Sequence, residues 1–310
     1  MKNKHTILAI LAMTILVSGI YLLGKLTVPK YTGDIPEGAM INEYYSSEKD
    51  NNVIFLGDCE VFENISPMVL EESFGIKSWI RGSAQQLVWQ SYYLLEETFK
   101  YEKPEAVVFN VNALRYGKPV SEAYNRMTLD GMKFSGSKIK AVNASVMEEE
   151  SVISYFIPLL RYHSIWSELG ADDLRYMFRP YKVTYRGYLE HTGIVPQDQL
   201  PTVPVIPYDE LPDICMDYLD RMRMLCDENG AELVLVKSPV EWPHWYDEWD
   251  AQLKSYAEEM DLCYINFVPL ASDIGLDMKT DTYDGGLHLN RTGAEKYTKY
   301  LGEYLKGILD

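Results

Sequence analysis

Five short apolar runs constrain the fold most: Val53 to Leu56, Ile76 to Ile80, Ala106 to Val111, Leu233 to Val236 and Cys263 to Phe267. Apolar runs of this length without polar alternation suit strands buried on both faces, and helical patterns lie between most of them. Such an alternation predicts an α/β three-layer sandwich, with a five-stranded parallel sheet covered by helices on both sides. The helices have their own signatures. Leu87, Val88, Tyr92, Leu95 and Phe99 recur at helical spacing, as do Ile214, Tyr218, Met222 and Leu225. Ala294, Tyr297, Leu301, Leu305 and Ile308 form the clearest stripe, and Thr292 with Glu295 reads as a capping box at its start.

Ahead of the first run lies an almost uninterrupted apolar stretch, Thr6 to Leu23, preceded by Lys2 and Lys4. Its length matches a bilayer core. A secretory signal peptide is the rival reading, but it would have a shorter apolar core and a small-x-small cleavage site. Residues 1–28 are therefore read as a cytoplasmic tip and uncleaved signal anchor, and 29–50, rich in Pro, Gly and charge, as a linker. Residues 51–310 are read as the α/β domain, lying outside the cytoplasm. Gly117 to Pro207 breaks the alternation and reads as an insertion, a lid or a docking surface.

With 47% hydrophobic residues among 310, the chain has ample material for one large core. Residues 1–30 contain four of the 29 basic residues and none of the 46 acidic ones, so the remainder has a net charge of −21. A polyanion such as nucleic acid is repelled by that charge and is excluded as a partner. Four cysteines, Cys59, Cys215, Cys226 and Cys263, are too few for a disulfide scaffold. A Cys226–Cys263 bridge and a pair of unpaired core thiols both remain open.

Two stretches carry chemistry. Gly57-Asp58-Cys59 follows the first run directly, which puts Cys59 at the carboxyl edge of the sheet, where open α/β sheets bind ligands. A helix starting there would favour the thiolate and lower the Cys59 pKa. Near the other end, His288 precedes the last helix, with Asp284 four residues and Asp281 seven residues before it. Either carboxylate could orient the imidazole. A thiol nucleophile with an imidazole base suits acyl transfer, which also needs donors for an oxyanion. The candidates are the amides of Cys59 and Gly82 and the side chain of Asn112 or Asn110, taken to share a face by strand alternation. His163, His191 and His244 are assigned to surface or packing. The residues have no zinc spacing and no glycine-rich phosphate loop, so neither metal nor cofactor is expected.

Gly57-Asp58-Cys59, Gly82, Asn112 and Asp284 to His288, in that order, resemble the block sequence of the SGNH (GDSL-like) hydrolase superfamily. In that family a Gly-Asp-Ser block, a glycine, an asparagine and an Asp-x-x-His block follow or precede the corresponding elements. The resemblance implies a flavodoxin-like SGNH fold. His288-Leu289-Asn290, followed three residues later by Gly293, is most similar to the membrane-anchored branch related to D-alanyl-lipoteichoic-acid biosynthesis and alginate acetylation proteins. This chain departs from the pattern in three ways: cysteine stands in place of serine at 59, the Asp–His spacing is one residue longer, and no glycine precedes the asparagine block.

The expectation is an extracytoplasmic acyl transferase or esterase acting on a cell-envelope polysaccharide or teichoic-acid-like polymer. Cys59 would be its nucleophile, His288 its base and Asp284 its orienting carboxylate. A membrane-bound O-acyltransferase is the implied partner. One rival is a non-catalytic binding protein of the same fold, for which Trp242, Trp245, Tyr246 and Trp249 would offer sugar-stacking surfaces. A second is redox sensing by Cys59, disfavoured because no resolving cysteine lies near it in sequence.

Overall fold

The computed structural model describes residues 2–28, 38–179, 182–197, 208–240, 242 and 244–309. Five parallel strands, β1 (Val53–Gly57), β2 (Ser78–Gly82), β3 (Ala106–Asn110), β4 (Glu232–Lys237) and β5 (Cys263–Asn266), form one sheet in the order β2-β1-β3-β4-β5. This is the α/β sandwich expected from the alternation of runs, with flavodoxin-like strand order. Strand alternation divides the core in two. Ile54, Leu56, Val107, Phe109, Leu233 and Leu235 enter one cluster, while Val53, Phe55, Ala106, Val108, Val234 and Val236 enter the other. Both faces are buried, which is why these strands read as continuous apolar runs.

The helices, in chain order, are α1 (Lys2–Thr27), α2 (Ala39–Glu43), α3 (Cys59–Asn64), α4 (Pro67–Phe74), α5 (Val88–Thr98), α6 (Glu122–Leu129), α7 (Gly136–Ser145), α8 (Leu159–Tyr162), α9 (Ala171–Phe178), α10 (Asp213–Asn229), α11 (Asp247–Glu259), α12 (Ala271–Ile274) and α13 (Arg291–Leu309). Helices α5 and α10 pack together on one side, and α13 packs on α3 and α4 on the other. That second packing brings the N-terminal end of the last helix to the first strand. Ala294, Tyr297, Leu301 and Leu305 of α13 are fully buried, as the stripe anticipates.

Several expectations are corrected. The second strand begins at Ser78, two residues later than its apolar run. Gly75 ends α4 in the left-handed conformation, and the Ile76 N–H is spent on the Leu70 carbonyl at 3.2 Å, so Ile76 closes a helix instead of opening a strand. The buried stripe of α10 is Cys215, Leu219, Met222 and Cys226, with Ile214 exposed, one position off the expected set. Part of the segment read as linker belongs to the core: Met40, Ile41 and Tyr44 are buried, and the Tyr44 hydroxyl donates to Glu102 at 2.6 Å. Residues 29–37 lie outside the described residues. The cap of α13 is Asn290, whose Oδ1 accepts the Gly293 N–H at 3.2 Å, so Thr292 lies within the helix. All four cysteines are free thiols; Cys226 and Cys263 pack in clusters on opposite faces of the sheet, which rules out a bridge between them.

The segment after β3 contributes α6 to α9 and then returns along the edge of the sheet. Ile80 of β2 donates its N–H to the Arg186 carbonyl at 2.9 Å, which occupies that edge. Gly187, at φ +88°, lies against it so closely that a Cβ would fall 2.2 Å from the Ile80 oxygen. Trp245 and Trp249 are buried with ring centroids 5.2 Å apart, so these two serve as core and not as a sugar platform.

Candidate active site

The site forms where β1 ends, between β2 and β3 on either side of it. Gly57 closes the strand at φ +145°, and a Cβ there would come within 3.0 Å of Asn110 Cβ, so the turn requires glycine. Asp58 then caps α3, its Oδ1 accepting the Glu60 N–H at 3.1 Å, and Cys59 is the first residue of the helix. Cys59 as a residue is partly exposed.

The His288 loop is attached to this same short helix. Asn64, the last residue of α3, accepts the Leu289 N–H on its Oδ1 at 2.8 Å. One residue earlier, the Glu63 carboxylate lies 3.3 Å from His288 Nδ1 and accepts the Tyr283 hydroxyl. Asp284 holds His288 twice: Oδ1 accepts the backbone N–H at 2.9 Å and Oδ2 takes Nδ1 at 2.6 Å. With a carboxylate on Nδ1, that nitrogen carries the proton, and the ring lies close enough to Cys59 for each group to shift the other's titration. Cys59, His288 and Asp284 thus form one cluster. Asp281 does not join it; it is buried and paired with Lys296 Nζ at 2.6 Å.

Glu63 and Tyr283 escape the sequence reading. The signal was there in outline, because Cys59 and Glu63 are four residues apart and so share a helix face. His191, assigned to packing, stacks on Tyr283 with centroids 3.9 Å apart, which makes the returning chain a wall of the site. Glu63, Asp284 and His288 also cluster closely enough to suggest a metal centre. Two ligands of one tetrahedral ion at ordinary bond lengths stand about 3.3 Å apart. The 2.6 Å between Nδ1 and Oδ2 fits a hydrogen bond instead.

The amide candidates sit close by with other partners. Asn112 donates through Nδ2 to Asp58 Oδ2 at 2.7 Å, while Asn110 donates to Glu60 at 3.1 Å and Ser238 at 2.8 Å. They do not share a face by strand alternation, because β3 ends at Asn110 and the chain enters a 3₁₀ turn, Val111–Arg115. Gly82 ends β2 beside Gly57, and its missing side chain makes room for Val61 of α3, whose Cγ2 a Cβ would meet at 2.5 Å. Behind the helix a buried ion pair links Lys237 Nζ to Glu60 at 2.8 Å, with the lysine also donating to the Ser238 and Val240 carbonyls.

The electrostatics overturn one expectation. Burial pushes the Cys59 thiol up to about 11; His288 opposes this, while Asp58 and Glu63 add to it. The first turn of a six-residue helix does not offset desolvation and two carboxylates. Burial disfavours the His288 imidazolium, yet Cys59, Glu63 and Asp284 outweigh it and hold the ring well above its usual value. At neutral pH the resting Cys59 is therefore a protonated thiol.

No protein-family model and no curated protein matches the chain. Among solved structures it is similar to a candidate acylhydrolase from Bacteroides fragilis, with TM-score 0.41 and 14% identity over 85% of this chain and 90% of that one. A GDSL-like lipase from Bacteroides thetaiotaomicron gives TM-score 0.37 and 13% identity over 87% and 100%. A carbohydrate esterase whose active site is described as having divergent catalytic and non-catalytic binding functions gives TM-score 0.37 and 11% identity over 85% and 68%.

Proposed function

We propose that the chain is an SGNH-like acyl transferase or esterase in which Cys59 is the nucleophile, His288 the general base and Asp284 the group that orients the imidazole. The observation that carries this is the convergence of the three groups at the end of β1, with the Asp284 carboxylate on His288 Nδ1 at 2.6 Å and the imidazole near enough to Cys59 for each to shift the other's titration. His288, once neutral, takes the thiol proton through Nε2 as sulfur attacks an ester carbonyl. The tetrahedral oxyanion is met by the Cys59 amide, left open at the helix start, with Gly82 and the second Asn112 N–H as further candidates. Collapse expels the alcohol, which takes the proton back from His288 and leaves a thioester on Cys59. Water then gives hydrolysis; a sugar or polyol hydroxyl gives transfer.

The envelope setting is part of the same proposal. The apolar α1, Lys4–Thr27, has the length and composition to cross a membrane. As an uncleaved anchor it would leave the α/β domain outside the cytoplasm. There the acceptor is a cell-envelope glycopolymer and a membrane-bound O-acyltransferase the partner, as the resemblance of the Cys59 and His288 blocks implies. The raised thiol pKa favours a second reading, a non-catalytic binding protein with the same site.

Incubating the full chain with p-nitrophenyl acetate and measuring intact mass separates the two. An enzyme accumulates an acetyl adduct on Cys59 that is lost in Cys59→Ala and His288→Ala, with circular dichroism unchanged. An adduct that forms equally in Cys59→Ala rejects the nucleophile, and absence of any adduct or turnover supports the binding protein.

A further inference from the structure

Helix α1 does not stand clear of the domain. It packs on α8 and α9 and on the 3₁₀ turn between them, and at Gly24 an added Cβ would lie 3.6 Å from Pro158 Cδ. Below that contact is a groove of about 450 Å³, with Val17, Ile20, Tyr21 and Gly24 on the α1 side and Phe134, Phe156, Ile157 and Pro158 on the domain side. Its position along α1 matters. At 1.5 Å per residue, Val17 lies about 15 Å before Thr27, roughly half the thickness of a bilayer core. Phe134 and Phe156, whose rings are 5.9 Å apart, therefore face a part of α1 that lies within one leaflet when α1 spans the membrane.

The surface agrees with a lipid surround. Phe134 is 78% exposed, and the groove's walls are apolar except for Lys25 and Lys138, its two charged lining residues. Lys25 is exposed, whereas Lys138 is buried and donates to the Met132 carbonyl at 3.0 Å, so Lys25 is the cation that the groove offers at its mouth, although residues 31–310 of the chain are strongly acidic. We propose that this groove holds an acyl chain of an anionic phospholipid, with its headgroup phosphate at the exposed Lys25, so that the domain is seated in the leaflet and not suspended above it. The seat requires α1 to be a membrane anchor, as proposed above, and is independent of the chemistry at Cys59.

The test uses the full chain in vesicles containing phosphatidylglycerol with a photoactivatable group on the acyl chain, followed by peptide mapping of cross-links. Cross-links are expected on α1, on Phe134 to Lys138 and on Phe156 to Pro158. Phe134→Asp, at an exposed position that leaves folding intact, should reduce the domain cross-links several-fold without affecting those on α1. Lys25→Gln should weaken the preference for the phosphatidylglycerol probe over its phosphatidylcholine counterpart by about five-fold, the worth of one lysine at an anionic surface. Cross-links on α1 alone overturn the seat and leave the anchor standing. Equal labelling by both probes overturns the anionic headgroup. A chain that does not float with vesicles overturns the anchor itself.

Discussion

Asn64 Oδ1 accepts the Leu289 N–H at 2.8 Å, and through this bond the helix that begins with Cys59 holds the loop that carries His288. Both partners are buried. Asn64→Ala strands the Leu289 N–H, and a buried donor without a partner costs about 1–3 kcal/mol. Urea denaturation should report a loss in this range, and thiol acetylation should fall with it because the loop loses its register. Unchanged stability and unchanged acetylation would mean that α13 packing alone sets the loop.

Glu63 raises the His288 pKa, so it should control how acetylation depends on pH. The reaction needs neutral His288, hence its rate should climb as pH rises through the elevated folded value. Glu63→Gln removes one of the carboxylates beside the ring and should move that climb to lower pH. A rate profile that does not move excludes Glu63 as a tuning group.

Stability follows the same titration. The raised imidazole pKa contributes stability that is fully present below the unfolded value near 6.5 and is lost as pH rises through the folded value. The difference in melting temperature between the native chain and His288→Asn should therefore shrink between pH 6 and pH 9. A difference that grows with pH would show that the ring is held neutral.

Asp284 and Asp281 separate by role. Asp284→Asn should lower acetylation by roughly 10²–10⁴-fold, the worth of a positioned acid–base group, with little change in melting temperature. Asp281→Asn breaks the pair with Lys296 at 2.6 Å and should lower the melting temperature while the pH profile keeps its shape. The reverse pattern would exchange their roles.

Gly82 is a packing requirement for α3. Gly82→Ala puts a methyl 2.5 Å from Val61 Cγ2 and should cost about 1–3 kcal/mol by overpacking. Val61→Ala in the same chain should recover part of that loss in a double-mutant cycle. Additive losses would mean that the clash lies instead with the Gly57 or Asp58 carbonyls, 3.1 and 3.3 Å away.

The sheet was legible because its determinants are local. Apolar runs of strand length between amphipathic helices admit few packings, and the stripe from Ala294 to Leu305 could bury itself only against a sheet face. The chemistry-bearing types at Cys59, Asp284 and His288 were legible too, from their position after a strand and before a helix. Errors arose where one residue had two local uses: Ile76 is apolar enough for a strand but closes α4, and Met40, Ile41 and Tyr44 were masked by their Pro- and Gly-rich surroundings.

Only the tertiary structure decided what surrounds the thiol. Glu63 meets Tyr283 across 220 positions and Asn64 meets Leu289 across 225, separations at which no periodicity carries information. The choice of Asp284 over Asp281 beside the imidazole depends on how one loop turns, and the raised thiol on how much water the fold removes. Sequence determines which groups can react; desolvation and long-range contact, which exist only after folding, determine their partners and protonation.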